Sequence, residues 1–184
     1  MLNEEQINQN YARYTTGLAK YFKNSNTLLS ELGEKLLIAP ASSVKSLHCA
    51  YPGGLIEHIL EVVKCASKIN KALDNPVSEE SLMRVALISE IGKAELYLIN
   101  TDKWQIDNQG KVYIFNEKLA SMKVGERSAY YALKCGLELS DTEYQAIINY
   151  EKEEDASVKW HTNPIGKVLR YAIDIAIINE KNRA

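Results

Sequence analysis

Between Pro52-Gly53-Gly54 and Asn75-Pro76, the apolar residues Leu55, Ile59, Val62, Ala66 and Ile69 recur at three- and four-residue steps. Glu57, Glu61, Lys64, Lys68 and Lys71 take up positions between them. This period predicts one long amphipathic helix over residues 53–72, dry on one side and wet on the other. A stripe of that width has to be buried against other elements of the core. His58 stands between Leu55 and Val62 on the dry side, and its imidazole is expected to point inward.

The neighbours are legible on both sides. Ile7, Tyr11, Tyr14, Leu18 and Tyr21 predict a helix from Glu4 to Phe22. Asn24-Ser25-Asn26 breaks it and offers an N-cap to a second helix, from about Thr27 to Leu37, which stops before Pro40. Ala39 to Pro52 reads as an irregular connection. Ser78 can cap a fourth helix with Leu82, Val85, Ala86 and Ser89 on one face. Trp104-Gln105-Ile106-Asp107 and Lys111 to Phe115 alternate around Asn108-Gln109-Gly110, which predicts a small β-hairpin near 104–115. Gly125 to Cys135 reads as a helix ended by Gly136, and Ser140 to Glu143 is a capping box opening a helix to about Tyr150. Pro164 suits the first turn of a last helix running to about Asn179. That helix is apolar nearly all round, which makes it central in the core or a candidate homo-oligomer interface. The expected fold class is therefore all-α with one small hairpin, arranged as a single domain over residues 1–184.

Composition narrows the function classes. Charged residues make up 25% of the chain and the formal net charge is −2, so a dedicated nucleic-acid binder with a strongly basic face is not indicated. The cysteines Cys49, Cys65 and Cys135 are odd in number and widely spaced, matching neither a disulfide framework nor a zinc motif. Reduced thiols, a polar N-terminal stretch and the lack of a long apolar run lead to the expectation of a cytoplasmic protein without a membrane partner.

Set in order along the chain, several segments carry a resemblance. Ala39-Pro40-Ala41-Ser42, His48, Ala50 to Leu55 and Glu57-His58 match a stretch of the form A-P-A-S-x-x-x-x-H-x-A-Y-P-G-G-L-x-E-H, with five residues instead of four between Ser42 and His48. Tyr113 to Asn116, Gly125-Glu126-Arg127-Ser128, Ala146-Ile147 and Pro164 onward continue the match. The chain resembles the HD-domain phosphohydrolases over about residues 38–178, with the helices of 4–37 preceding that core. It is most similar to the compact, often phage-encoded members and to the HD domain of certain 3′–5′ exoribonucleases. Such enzymes hold divalent metal in a cage of histidines and aspartates, where it polarises phosphoryl oxygens and supplies hydroxide.

The positions that the resemblance assigns to metal tell a different story. His58 fills the first. The His-Asp dyad is replaced by Ser89-Glu90, the next histidine by Val124 and the following one by Tyr150, with Glu151 beside it. The last aspartate falls on Ile173, and Asp174 stands one residue late, about 100° round the helix. Serine, valine, tyrosine and isoleucine do not rebuild such a cage, so the resemblance implies an HD-like pseudoenzyme with no cofactor.

The ligand-binding candidates are accordingly His48, His58, Ser89, Lys93, Arg127 and Tyr150. Lys93 follows the altered dyad, and Arg127 lies in the first turn of a helix whose amides favour phosphate. The expected function is non-catalytic binding of a nucleotide or related phosphorylated small molecule, with a phage-type sequestering protein as the specific form. Two alternatives stand beside it. One is a divergent metal-dependent phosphohydrolase using His58, Glu90, Asp174 and His161. The other is a protein-interaction module in which the former site is packed. Residue by residue, Tyr150 either stacks on a base or fills the emptied cage, Glu90 either binds metal or pairs with Lys93 or Arg127, and Trp104, Tyr113 and Phe115 either form a lid or hold the hairpin down.

Overall fold

A computed structural model of the chain describes residues 2–151 and 162–183. The first two helices, α1 (Glu4–Tyr21) and α2 (Ser25–Ile38), pack against each other ahead of the connection to α3 (Gly54–Ala72). Helix α4 (Glu79–Ile88) passes into a 3₁₀ turn, Ile91–Lys93. A short excursion follows, made of β1 (Tyr97–Ile99), α5 (Lys103–Gln109) and β2 (Tyr113–Phe115). Helices α6 (Val124–Lys134), α7 (Asp141–Asn149) and α8 (Pro164–Lys181) complete the described elements.

The all-α expectation holds, and the helix ends obey local chemistry. Asn3 and Gln6 form a capping box on α1, and Ser140 and Glu143 form the one foreseen on α7. Asn163 accepts from the Gly166 amide, and Pro164 occupies the first turn of α8. Asn24 departs from expectation. It stands at the N-cap of α2 without capping it, because its Nδ2 donates instead to the Gly136 carbonyl at 2.8 Å.

Helix α3 packs chiefly against α8 and α4, with α1 and α2 on its flank. Leu55, Ile59, Val62 and Ala66 are buried as their period demands, and meet Leu82, Val85, Ala86, Leu169, Ala172 and Ala176 in the core. Glu61 is the exception on α3. It is buried because Lys64, Asn179 and Arg183 all reach its carboxylate, which offsets the cost of leaving water. On α8 the outer face leaves Tyr171, Ile175 and Ile178 exposed.

The hairpin needs a correction. Its second strand is as foreseen, but β2 pairs antiparallel with Tyr97–Ile99, in the register Tyr97 to Phe115 and Ile99 to Tyr113. Trp104 to Asp107 lie in α5 instead. Asp102 caps that helix through the Gln105 amide, and Gly110 ends it in the left-handed region at φ 63°. Asn108-Gln109-Gly110 is thus a helix terminus rather than a hairpin turn, and local capping outweighs a four-residue alternation. Trp104 and Phe115 are exposed while Tyr113 is buried, so only one of the three aromatics holds the excursion down.

Pro52-Gly53-Gly54 fixes how the connection meets α3. Gly53 adopts φ 79°, where a side chain is strained. A Cβ on Gly54 would stand 2.1 Å from the Cys49 carbonyl oxygen, so only glycine lets the 48–49 backbone lie on the start of α3. Ala41 N donates to Cys49 O and Leu55 N to Ala39 O, both bonds drawing the loop onto the helix. The connection is therefore held in place, and it carries His48 with it.

Among the described residues, no helix is long and apolar enough to cross a membrane.

Candidate functional site

Three helices and two loops converge on His58, which is fully buried at the middle of the assembly. Its Nδ1 lies 2.9 Å from Glu180 Oε1 in the last turn of α8, so an Nδ1–H donates to that carboxylate. On the other side, Nε2 lies 3.4 Å from Glu90 Oε2, at ion-pair distance but without a hydrogen bond. Lys93 Nζ closes on that same Glu90 oxygen, and Tyr150 OH donates to Oε1 at 2.8 Å. The result is a buried chain running Glu180, His58, Glu90, Lys93, with Tyr150 as a side branch. Cations and carboxylates alternate along it.

The local fold explains each placement. Glu90 and Lys93 bracket the 3₁₀ turn, which brings side chains three apart onto one side. That turn is clasped to α6 by Ser128, whose hydroxyl donates to Ser89 O at 2.7 Å and accepts from Gly92 N at 2.8 Å. Gly92 is required here, because a Cβ would come within 2.5 Å of Val124 O. His48 enters from the loop held by Gly54, its ring centroid 4.6 Å from that of His58 at a 44° tilt.

Protonation follows from these contacts. Burial disfavours charge on His58, but the hydrogen bond to Glu180 and the nearby Glu90 carboxylate outweigh it and raise its pKa. Burial likewise opposes charge on Glu90, and Lys93 together with His58 overcomes it, holding the carboxyl well below its usual range. For Lys93, the Glu90 charge outweighs burial and raises the ammonium. His48 has no such partner; burial, reinforced by His58 and Lys93, drives its pKa down to about 3. Burial and the adjacent Glu90 push the Tyr150 phenol well above its normal value. Burial and Glu180 push the Cys49 thiol up to about 12, which leaves it protonated and unreactive.

Most of the sequence-derived candidates meet here. His48, His58, Lys93 and Tyr150 share the chain with Glu90. Ser89 is buried beside it, with a hydroxyl that has no hydrogen-bond partner. Arg127 is set apart: its Nη2 donates to Ala120 O at 2.7 Å and its Nε is buried without a partner, while Glu90 is paired with Lys93. Asp174 is exposed on the outer side of α8, so the set His58, Glu90, Asp174 is not brought together. His161 lies outside the described residues.

Glu180 is the residue that sequence reasoning missed. The signal was present, since Leu169, Ile173, Ala176 and Glu180 follow at steps of four, three and four and share one stripe. A carboxylate closing a buried stripe calls for a partner, and His58 is that partner.

No family model matches this chain, and no curated protein or solved structure matches it. The chemistry of the site rests on its own side chains. Of the positions assigned to metal by resemblance, Ser89, Val124 and Ile173 offer no imidazole or carboxylate, and Tyr150 offers a phenol already bonded to Glu90. What remains is a self-neutralising ion chain with unpaired polar atoms at its margins.

Proposed function

We propose that the protein is a non-catalytic, HD-like module that binds a nucleotide or related phosphorylated small molecule at this altered centre. One observation carries the reading: the ammonium of Lys93 sits on Glu90, the carboxylate that takes the place of the metal-binding dyad's aspartate. An internal cation there does the neutralising that a metal ion does in a phosphohydrolase, yet it activates no water. Lys93 also keeps donors for a ligand. An ammonium has three N–H groups, and its one hydrogen-bond partner among the described residues is Glu90. The unpartnered Ser89 hydroxyl adds a polar atom whose burial calls for a partner. In its specific form, the protein would sequester a signalling nucleotide and release it unchanged.

A second reading, a packed protein-interaction module, is favoured by Arg127 being turned to Ala120 and by Tyr150 filling the centre. Calorimetric titration with a panel of nucleotides separates the two. The binding reading expects saturable uptake that falls about ten- to a hundred-fold in Glu90→Gln/Lys93→Gln, the worth of one charge-assisted hydrogen bond. This double variant removes both charges together and so leaves no unpaired ion. Absence of uptake by the wild type, or uptake indifferent to the double variant, overturns the reading.

A further inference from the structure

We infer that His48, His58 and Glu180 form a site for one transition-metal ion of the zinc class. Each offers a ligand atom, and these atoms lie within 4.8 Å of one another. The site is not the cage that the resemblance describes. Only His58 is common to both; His48 comes from the connecting loop, and Glu180 lies two helical turns beyond Ile173. Two facts beyond proximity point to an ion. His48 Nε2 is buried with no hydrogen-bond partner, its ring 4.6 Å from that of His58, whose Nδ1 is turned to Glu180 while its Nε2 faces Glu90. A buried imidazole nitrogen left unsatisfied is a costly arrangement unless something supplies its partner. Glu180 adds the anionic ligand, itself buried and held at 2.9 Å from His58. Two nitrogens and one carboxylate oxygen suit zinc rather than calcium or magnesium, which favour sites built from oxygen alone. Three protein ligands with solvent in the fourth position satisfy its tetrahedral preference.

Such an ion would join the 39–53 connection, α3 and the last turn of α8, and so act as a clamp. It goes beyond the nucleotide reading and does not depend on it, since that reading rests on Lys93. The test uses the full chain, stripped with chelator, dialysed and titrated with Zn²⁺ alone at neutral pH. Calorimetry, a thermal melt and zinc-edge anomalous scattering from crystals serve as readouts. The expected result is one ion per chain, a higher Tm and an anomalous peak between the two imidazoles. His48→Ala should weaken uptake by more than about 100-fold, because even losing an outer-shell partner costs ~10–100-fold. Its side chain makes no hydrogen bond among the described residues, so its removal leaves the fold in place, as circular dichroism will show. Glu180→Gln should act in the same direction, and Asp174→Asn should change nothing. Failure of the wild type to take up stoichiometric zinc, or uptake unaffected by His48→Ala, overturns the site.

Discussion

Glu90 is 2% exposed and acquires its charge from its neighbours, so its energetics reveal whether the ion chain is real. Lys93→Met should destabilise the protein by about 3–5 kcal/mol, because it strands a buried carboxylate. Adding Glu90→Gln should restore much of that loss, and urea unfolding of the two variants measures it. A single variant as stable as wild type would show that the pair does not form. The histidines give a second signature with opposite signs. His58, with its pKa raised in the fold, contributes stability that is complete below about pH 6.5 and lost as pH climbs through its folded value. His48, lowered to about 3, takes up its proton more readily in the unfolded chain, so it weakens the fold as pH falls from about 6.5 toward 3. His48→Gln should therefore flatten the acid side of the unfolding midpoint against pH, and His58→Gln the alkaline side. Identical profiles for both variants would contradict the assignment. At this scale the sequence was informative where spacing is short: Glu90 and Lys93 are three apart, and their pairing was foreseen as one of two choices. Glu180 was not foreseen, because its partner is 122 residues away and nothing local reports that distance.

Among the elements, the connection before α3 decides whether His48 reaches the centre at all. Gly54 admits the Cys49 carbonyl where a Cβ would stand 2.1 Å away, and rigid backbone lies on both sides of the contact. Gly54→Ala should therefore cost about 1–3 kcal/mol or more, in the manner of an overpacked core. It should also lift the loop, exposing Cys49 to thiol reagents that its burial now excludes. Unchanged stability and unchanged labelling would show that the loop is not held this way. Helix α3 could be read from the sequence because its period runs through 19 residues, and α7 and α8 because Ser140 and Pro164 mark where they begin. Helix α5 could not, since seven residues give both a helical and an alternating reading. There Asp102 and Gly110 decided the matter, and the alternation of Trp104 and Ile106 did not. The first strand, Tyr97–Ile99, is three residues long and has too few positions to display any period.

Across the whole molecule, the helices bring to one point residues whose charges cancel. Glu180 comes from α8, His58 from α3, Glu90 and Lys93 from the turn after α4, and Tyr150 from the end of α7. The all-α class and the inward orientation of His58 and Ser89 followed from apolar periodicity, which is a property of single helices. What the centre holds depends on how five segments dock, and that is written in long-range packing instead. In the function proposed above, an internal ammonium takes the place of a catalytic metal and the centre retains ligands intact. The most direct test is to incubate the full chain with the nucleotide panel and Mn²⁺, then resolve the nucleotides by ion-exchange chromatography. Bound nucleotide is expected to be recovered unchanged. Hydrolysis products in molar excess over protein, abolished by Glu90→Gln, would contradict it.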